Sequence, residues 1–135
     1  VSAKGIVLRR YADGGFRVLL ARNPRGEWEL PGGRPEAGES ERTAVAREVT
    51  EETGQLVWVD QLVDRFDLVI PDIIDTSGAP AVVEIAAYAC HLAARRPLRL
   101  SAEHGQLAWL PVVALPDSVP AGYVAVIVSH ATAVS

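Results

Sequence analysis

The apolar positions of this chain recur with a period near two in most segments and with a helical period in two others. GIVLRRY (5–11) and FRVLLAR (16–22) are short runs rich in β-branched residues and Leu, and they read as strands. Asp13-Gly14-Gly15 between them is hairpin chemistry. NPRGEWELPGG (23–33) is rich in Pro and Gly and reads as loop, with a short extended piece at Trp28–Leu30. Residues 41–53 contain no Gly or Pro and place Ala44, Val45 and Val49 at spacings that supply an apolar stripe, so a helix is predicted. Ser40 is its candidate N-cap, Glu41 suits the positive end of the helix dipole, and Gly54 stands where a left-handed terminating residue belongs.

Downstream, LVWVDQLVDRFDLVI (56–70) reads as extended, either as one strand or as two with a bend. PDIIDTSGAP (71–80) reads as a turn-rich loop. AVVEIAAYACHLA (81–93) is a long strand candidate whose Ala content leaves a helix open. RRPLRLSAEHGQ (95–106) reads as loop, LAWLP as a short strand and PDSVPAG as a turn. The C-terminal VPAGYVAVIVSHATAV starts near Pro120 and has Tyr123, Val126, Ile127 and Val134 at positions compatible with a helix, although its Val content pulls toward strand. The order ββ-α-ββ-α predicts an α/β fold, a mixed sheet with helices on both faces.

Length and composition narrow this little further. At 135 residues the expectation is one domain, and 49% hydrophobic with 22% charged residues is ordinary for a soluble globular protein. The single Cys90 cannot form an internal disulfide and lies in an apolar run, as a buried inert thiol would. No stretch approaches the roughly 18 apolar residues of a membrane span, and the first residues lack a secretory pattern. No membrane partner is expected, and a cytoplasmic location is.

Charge changes the picture more. The chain carries a formal net charge of −4, and residues 33–54, with six Glu and three Arg, hold −3 of it. With the acidity local and no basic block, no nucleic-acid polymer is expected as a partner. On the predicted helix Glu48, Glu51 and Glu52 fall at i, i+3 and i+4, so their carboxylates share one face. Like charges so placed repel, by about 0.2–0.5 kcal/mol per pair on an exposed helix, and no Lys is interleaved to relieve them. Crowded hard oxygen donors suit Mg2+ or Mn2+. His91, His104 and His130 share no ligand spacing, and a hard cation does not seek imidazole.

Residues 33–54 spell G-x5-E-x7-R-E-U-x-E-E-x-G, with U apolar, at Gly33, Glu39, Arg47, Glu48, Val49, Glu51, Glu52 and Gly54. This pattern resembles the signature of the Nudix hydrolases, which cleave nucleoside diphosphates linked to another group. One departure is visible: the family usually has an apolar residue after the final Gly, and here Gln55 stands there, followed by Leu56. The resemblance implies an α/β/α sandwich with a mixed sheet and a metal-assisted hydrolysis at phosphorus, with Mg2+ or Mn2+ as cofactor. It implies Glu48, Glu51 and Glu52 as metal ligands, joined by the backbone carbonyl of Gly33. Glu39 and Arg47 match a pair that braces the loop against the helix. Glu103, six residues before Trp109, matches a loop acid that binds metal or acts as general base. Glu51, Glu52 and Glu103 are the candidate proton acceptors. Arg22 resembles a phosphate-contacting position. Trp28, Trp58 and Trp109 are more often core than base-stacking platforms, and Trp28 is the best placed of them to stack on a base. Glu84 and His104 are weaker candidates for the same site.

For the substrate, a small nucleotide is implied. The short chain and the EWELPGG lead-in look most like the MutT-type branch, which favours nucleoside triphosphates, giving a monophosphate and pyrophosphate. ADP-ribose or a nucleotide sugar is the alternative: Pro71 lies sixteen residues after Gln55, near an ADP-ribose marker, but in an unlike context. A reading of another class is a nucleotide-binding module without catalysis; such proteins lose box acids, and every one is intact here. The sequence leaves the oligomeric state open.

Overall fold

A computed structural model describes residues 1–100 and 105–135. The opening hairpin forms where expected: β1 (Ser2–Arg10) pairs antiparallel with β2 (Phe16–Arg22). Gly14 turns the chain at φ +85°, and the Asp13 carboxylate accepts from the Gly15 amide at 3.0 Å. Two very short strands follow, β3 (Trp28–Glu29) against β2 and β4 (Gly32–Gly33) against β1. The helix α1 (Glu41–Thr53) comes next, then β5 (Val57–Ile74), β6 (Pro80–Leu92), β7 (Gln106–Pro111), a single 3-10 turn at 112–114 and the helix α2 (Ala121–Ala133).

The strands make one mixed sheet in the order β3-β2-β1-β6-β5, with β7 also on β2 and β4 also on β1. Among the described residues only β1 and β6 run parallel, from Ser2 opposite Ile85 to Val7 opposite Cys90. Strand alternation sends Ile6, Val18, Leu20, Ile85 and Ala87 to one face, where α2 covers them with Tyr123, Val126 and Ile127. It sends Ala3, Val7, Leu19, Ala86 and Cys90 to the other, where α1 covers them with Val45 and Val49. Helices therefore pack on both faces, as an α/β/α sandwich requires. Each fully buried aliphatic side chain contributes about 1.5–3 kcal/mol. Burial pushes the Cys90 thiol up to about 12, so it stays protonated.

One expectation needs correction. The segment 71–80 is not mainly loop: β5 continues through Ile74, and only 75–79 turn, with the Asp75 carboxylate accepting from the amides of Ser77 and Ala79. Turn-forming residues suggested a loop, but cross-strand pairing with β6, from Val57 opposite Leu92 to Ile74 opposite Pro80, holds Pro71 and Asp72 in an edge strand. Register shifts at 59–64 and 70–74 absorb the irregularity, so 57–74 is one bulged strand and not two. The Ala-rich segment 81–93 is strand, as its pattern suggested, and the helix its Ala content left open does not form, because β1 on one side and β5 on the other supply its hydrogen bonds. Among the described residues no helix is long and apolar enough to cross a membrane.

Candidate active site

The helix that carries the acidic cluster is well terminated. The Ser40 hydroxyl accepts from the Thr43 amide at 3.1 Å, and Gly54 closes the other end at φ +77° with its amide donating to Thr50. Val45 and Val49 pull one stripe of the helix onto the sheet, which turns Glu48, Glu51 and Glu52 toward the loop that precedes the helix. Glu52 is only 5% exposed, and its carboxylate accepts from the Gly32 amide at 3.0 Å. At Gly33 a Cβ would stand 2.9 Å from the Glu48 carboxyl carbon, so any side chain there would displace that carboxylate. Gly32 is equally restricted: φ is +151°, and a Cβ would run into the backbone of Ala3 and Lys4.

Arg47 organises the cluster. Its guanidinium grips Glu39 through two bonds of 2.8 Å, donates to Glu48 at 2.9 Å and to Glu51 at 3.2 Å, and lies 3.8 Å from Glu36. The fork on Glu39, helped by the Glu36 amide, lowers the Glu39 carboxyl to about 2. The same carboxylates raise the pKa of Arg47. The absence of Lys from the acidic face suggested unrelieved repulsion, but Arg47 supplies the cation from the same helix. Its i,i+4 spacing to Glu51 is the signal in the sequence that points to this.

Among the described residues no three His, Cys, Asp or Glu side chains already form a cage for a metal ion. The reason is visible in the bonds: Glu48 and Glu51 turn to Arg47, and Glu52 turns to Gly32. The donor set still fits a hard divalent cation, being carboxylate oxygens from one helical turn beside a glycine that leaves room for them.

The other candidates are dispersed. Arg22 ends β2 and donates to the Gly26 carbonyl at 3.2 Å, with its guanidinium 5.9 Å from the Trp28 ring. Trp28 is 7% exposed and belongs to the core beneath α2, so it has little ring face to offer a base. Glu84 lies 3.7 Å from Arg65, which also holds Glu41 at the start of α1, two turns from the acidic cluster. Glu103 and His104 lie outside the described residues. His91 pairs with Asp60 at 3.2 Å, and His130, in the last turn of α2, is buried.

Gln55, where the signature expects an apolar residue, is as buried as an apolar residue would be, at 1% exposure. Its amide donates to the carbonyls of Arg96 and Pro97 at 3.1 and 3.2 Å, tying the segment after β6 to the end of α1.

The family model of the NUDIX domain matches residues 2–127, nearly the whole chain. The chain belongs to the Nudix hydrolase family. A Mycobacterium tuberculosis protein named putative 8-oxo-dGTP diphosphatase 2 is 36% identical over 109 residues, covering 76% of this chain and 70% of that protein. Among solved structures, a Caenorhabditis elegans Ap4A hydrolase superposes with a TM-score of 0.75 at 20% identity, covering 98% of this chain and 96% of that one. A MutT protein from Methanosarcina mazei superposes with a TM-score of 0.70 at 22% identity, covering 99% and 94%. These two likenesses concern the fold. In this Nudix hydrolase the glycine, the Glu39–Arg47 fork and the three glutamates of the signature meet at one end of α1.

Proposed function

We propose that this Nudix hydrolase converts a nucleoside triphosphate to the monophosphate and pyrophosphate, using Mg2+ or Mn2+. The observation that carries the reading is the gathering of Glu48, Glu51 and Glu52 beside Gly33, with Arg47 and Glu39 bracing them. The triphosphate preference is supported by the 36%-identical relative named as an 8-oxo-dGTP diphosphatase and by the EWELPGG lead-in.

Glu48, Glu51, Glu52 and the Gly33 carbonyl would hold the cation. Once bound, it supplies charge neutralisation for phosphoryl oxygens and acidifies water. The protein's own contribution is positional. The Glu39–Arg47 fork fixes the loop and helix relative to each other, and the Gly32 amide orients Glu52. Glu51, whose side chain is 59% exposed, is the member of the cluster open to solvent, and it is our first candidate to accept the proton of the attacking water, with Glu52 and Glu103 next.

The test is a panel of nucleoside triphosphates, ADP-ribose, nucleotide sugars and dinucleoside polyphosphates, each with Mg2+ or EDTA, in 18O-labelled water. We expect monophosphate and pyrophosphate from a triphosphate, with label in a phosphate product. Turnover of ADP-ribose alone would move the assignment to the alternative branch. No turnover of any member would leave a binding module.

A further inference from the structure

The hairpin of β1 and β2 holds a pair of cations that the acidic site does not use. Arg9 and Arg17 are register partners on adjacent antiparallel strands, so their side chains stand side by side on one face of the sheet. Like charges directly opposite each other are unfavourable there. Arg25, Arg47 and Arg65 each have a carboxylate within 4 Å, whereas among the described residues neither Arg9 nor Arg17 has one. Aromatic rings hold the pair in place. The Arg17 guanidinium lies 4.1 Å from the centre of the Tyr11 ring, and that of Arg9 lies 5.3 Å from the same ring and 5.8 Å from Trp109. Both arginines are half-buried, which limits their freedom. Stacking occupies the flat face of a guanidinium and leaves its N–H edge for acceptors.

We propose that Arg9 and Arg17 form a binding site for a phosphate group, separate from the acidic cluster. A tetrahedral dianion has enough oxygens to accept from both forks and neutralises both charges. A polyanionic polymer fits poorly, because the rest of this chain of net charge −4 would repel it. Ala3 of β1 pairs with Gly33 at the acidic site, and Arg9 lies six residues further along the same strand, about 20 Å away. Adjacent phosphates of one short chain do not span that distance. The phosphate therefore belongs either to the far end of a long substrate or to a second phosphate-bearing ligand.

Pyrophosphate in EDTA tests the site without the metal and without turnover, so the outcome is independent of the proposed activity. Titration followed by calorimetry and amide NMR shifts should show saturable binding, with shifts centred on Arg9, Tyr11 and Arg17. Arg9→Gln with Arg17→Gln should weaken it by at least about tenfold, the effect of losing charge-assisted hydrogen bonds. Arg17→Gln alone should weaken it to a lesser degree, and Arg9→Lys with Arg17→Lys should restore it only in part, since an ammonium lacks the planar fork. Arg96→Gln with Arg99→Gln should leave it unchanged. Wild-type affinity in a folded double variant, judged by its melt, would overturn the proposal, as would the absence of saturable binding in the wild type. Kinetics with Mg2+ then separate the sources. A KM raised by Arg17→Gln for a dinucleoside tetraphosphate but not for a triphosphate, with kcat unchanged, identifies the far end of a substrate. Unchanged KM for both, with pyrophosphate still bound in EDTA, identifies a second ligand.

Discussion

The two helices have the same length and cover opposite faces of the same sheet, yet they differ in almost every other respect. α1 carries six charged residues among thirteen, is capped by Ser40 and closed by Gly54, and keeps three of those charges, Arg47, Glu48 and Glu51, in one network with Glu39. α2 carries no charged residue, starts at Pro120 without a side-chain cap, and exposes Val128 at 42% while burying Tyr123, Val126 and Ile127. A largely apolar helix gets its stability from packing, whereas one with a crowded acidic face gains from good ends and a countercharge. Under the proposed function chemistry belongs to α1 and adhesion to α2, and substitutions in each should separate the two.

The largest effect expected is on turnover. Glu52→Gln or Glu51→Gln should lower the Mg2+-dependent rate by at least about a hundredfold, while Val128→Ala on the outer face of α2 should leave kcat within about twofold, the range of a near-neutral surface change. Steady-state kinetics on the true substrate checks this, and near-wild-type turnover in both glutamate variants would remove the cluster from the mechanism. Stability should show the reverse dependence. Ile127→Ala should cost about 2–5 kcal/mol in urea unfolding as a large-to-small change in a filled core, whereas Glu51→Gln, which removes one largely exposed i,i+4 ion pair, should cost about 0.5 kcal/mol or less.

Arg47→Met sharpens the comparison through pH. Glu39 has its pKa lowered from 4.5 to about 2 in the folded protein, so its interaction with Arg47 stabilises fully above 4.5 and is lost as pH falls toward 2. The Tm of wild type should exceed that of Arg47→Met at neutral pH, and the gap should close over that acidic window. A gap that persists at pH 2 would mean that Arg47 stabilises by packing alone. Mg2+ should raise the wild-type Tm, by about 1.4 kcal/mol equivalent at ten times Kd, and raise it less in Glu51→Gln; equal shifts would place the metal elsewhere. Ser40→Ala should cost about 1 kcal/mol as a lost N-cap, visible as a small shift in the denaturant midpoint.

α1 was legible because its rules are local. Ser40, the unbroken run 41–53, Gly54 and the spacing of the glutamates are all set within one stretch of chain, and helical periodicity converts them directly into a shared face. The hairpin at Asp13–Gly15 was legible for the same reason. The strand through Pro71 and Asp72 was not, since only pairing with β6 overrides the turn preference of those residues. That Trp28 packs in the core was the commoner reading for a tryptophan, but that it lies beneath α2 depends on a helix nearly a hundred residues later.

By itself, then, the sequence determined the acidic helix, its termini, the family signature and the shared face of its carboxylates, all of which depend on residues within a short stretch of chain. Tertiary structure alone decided that Glu52 is turned to the Gly32 amide, that Gln55 is buried with its amide on Arg96 and Pro97, and that Arg9 and Arg17 stand together against Tyr11. Those contacts join segments far apart in the chain or separated by a turn, and their formation depends on how strands register and which faces are covered, which no local spacing encodes.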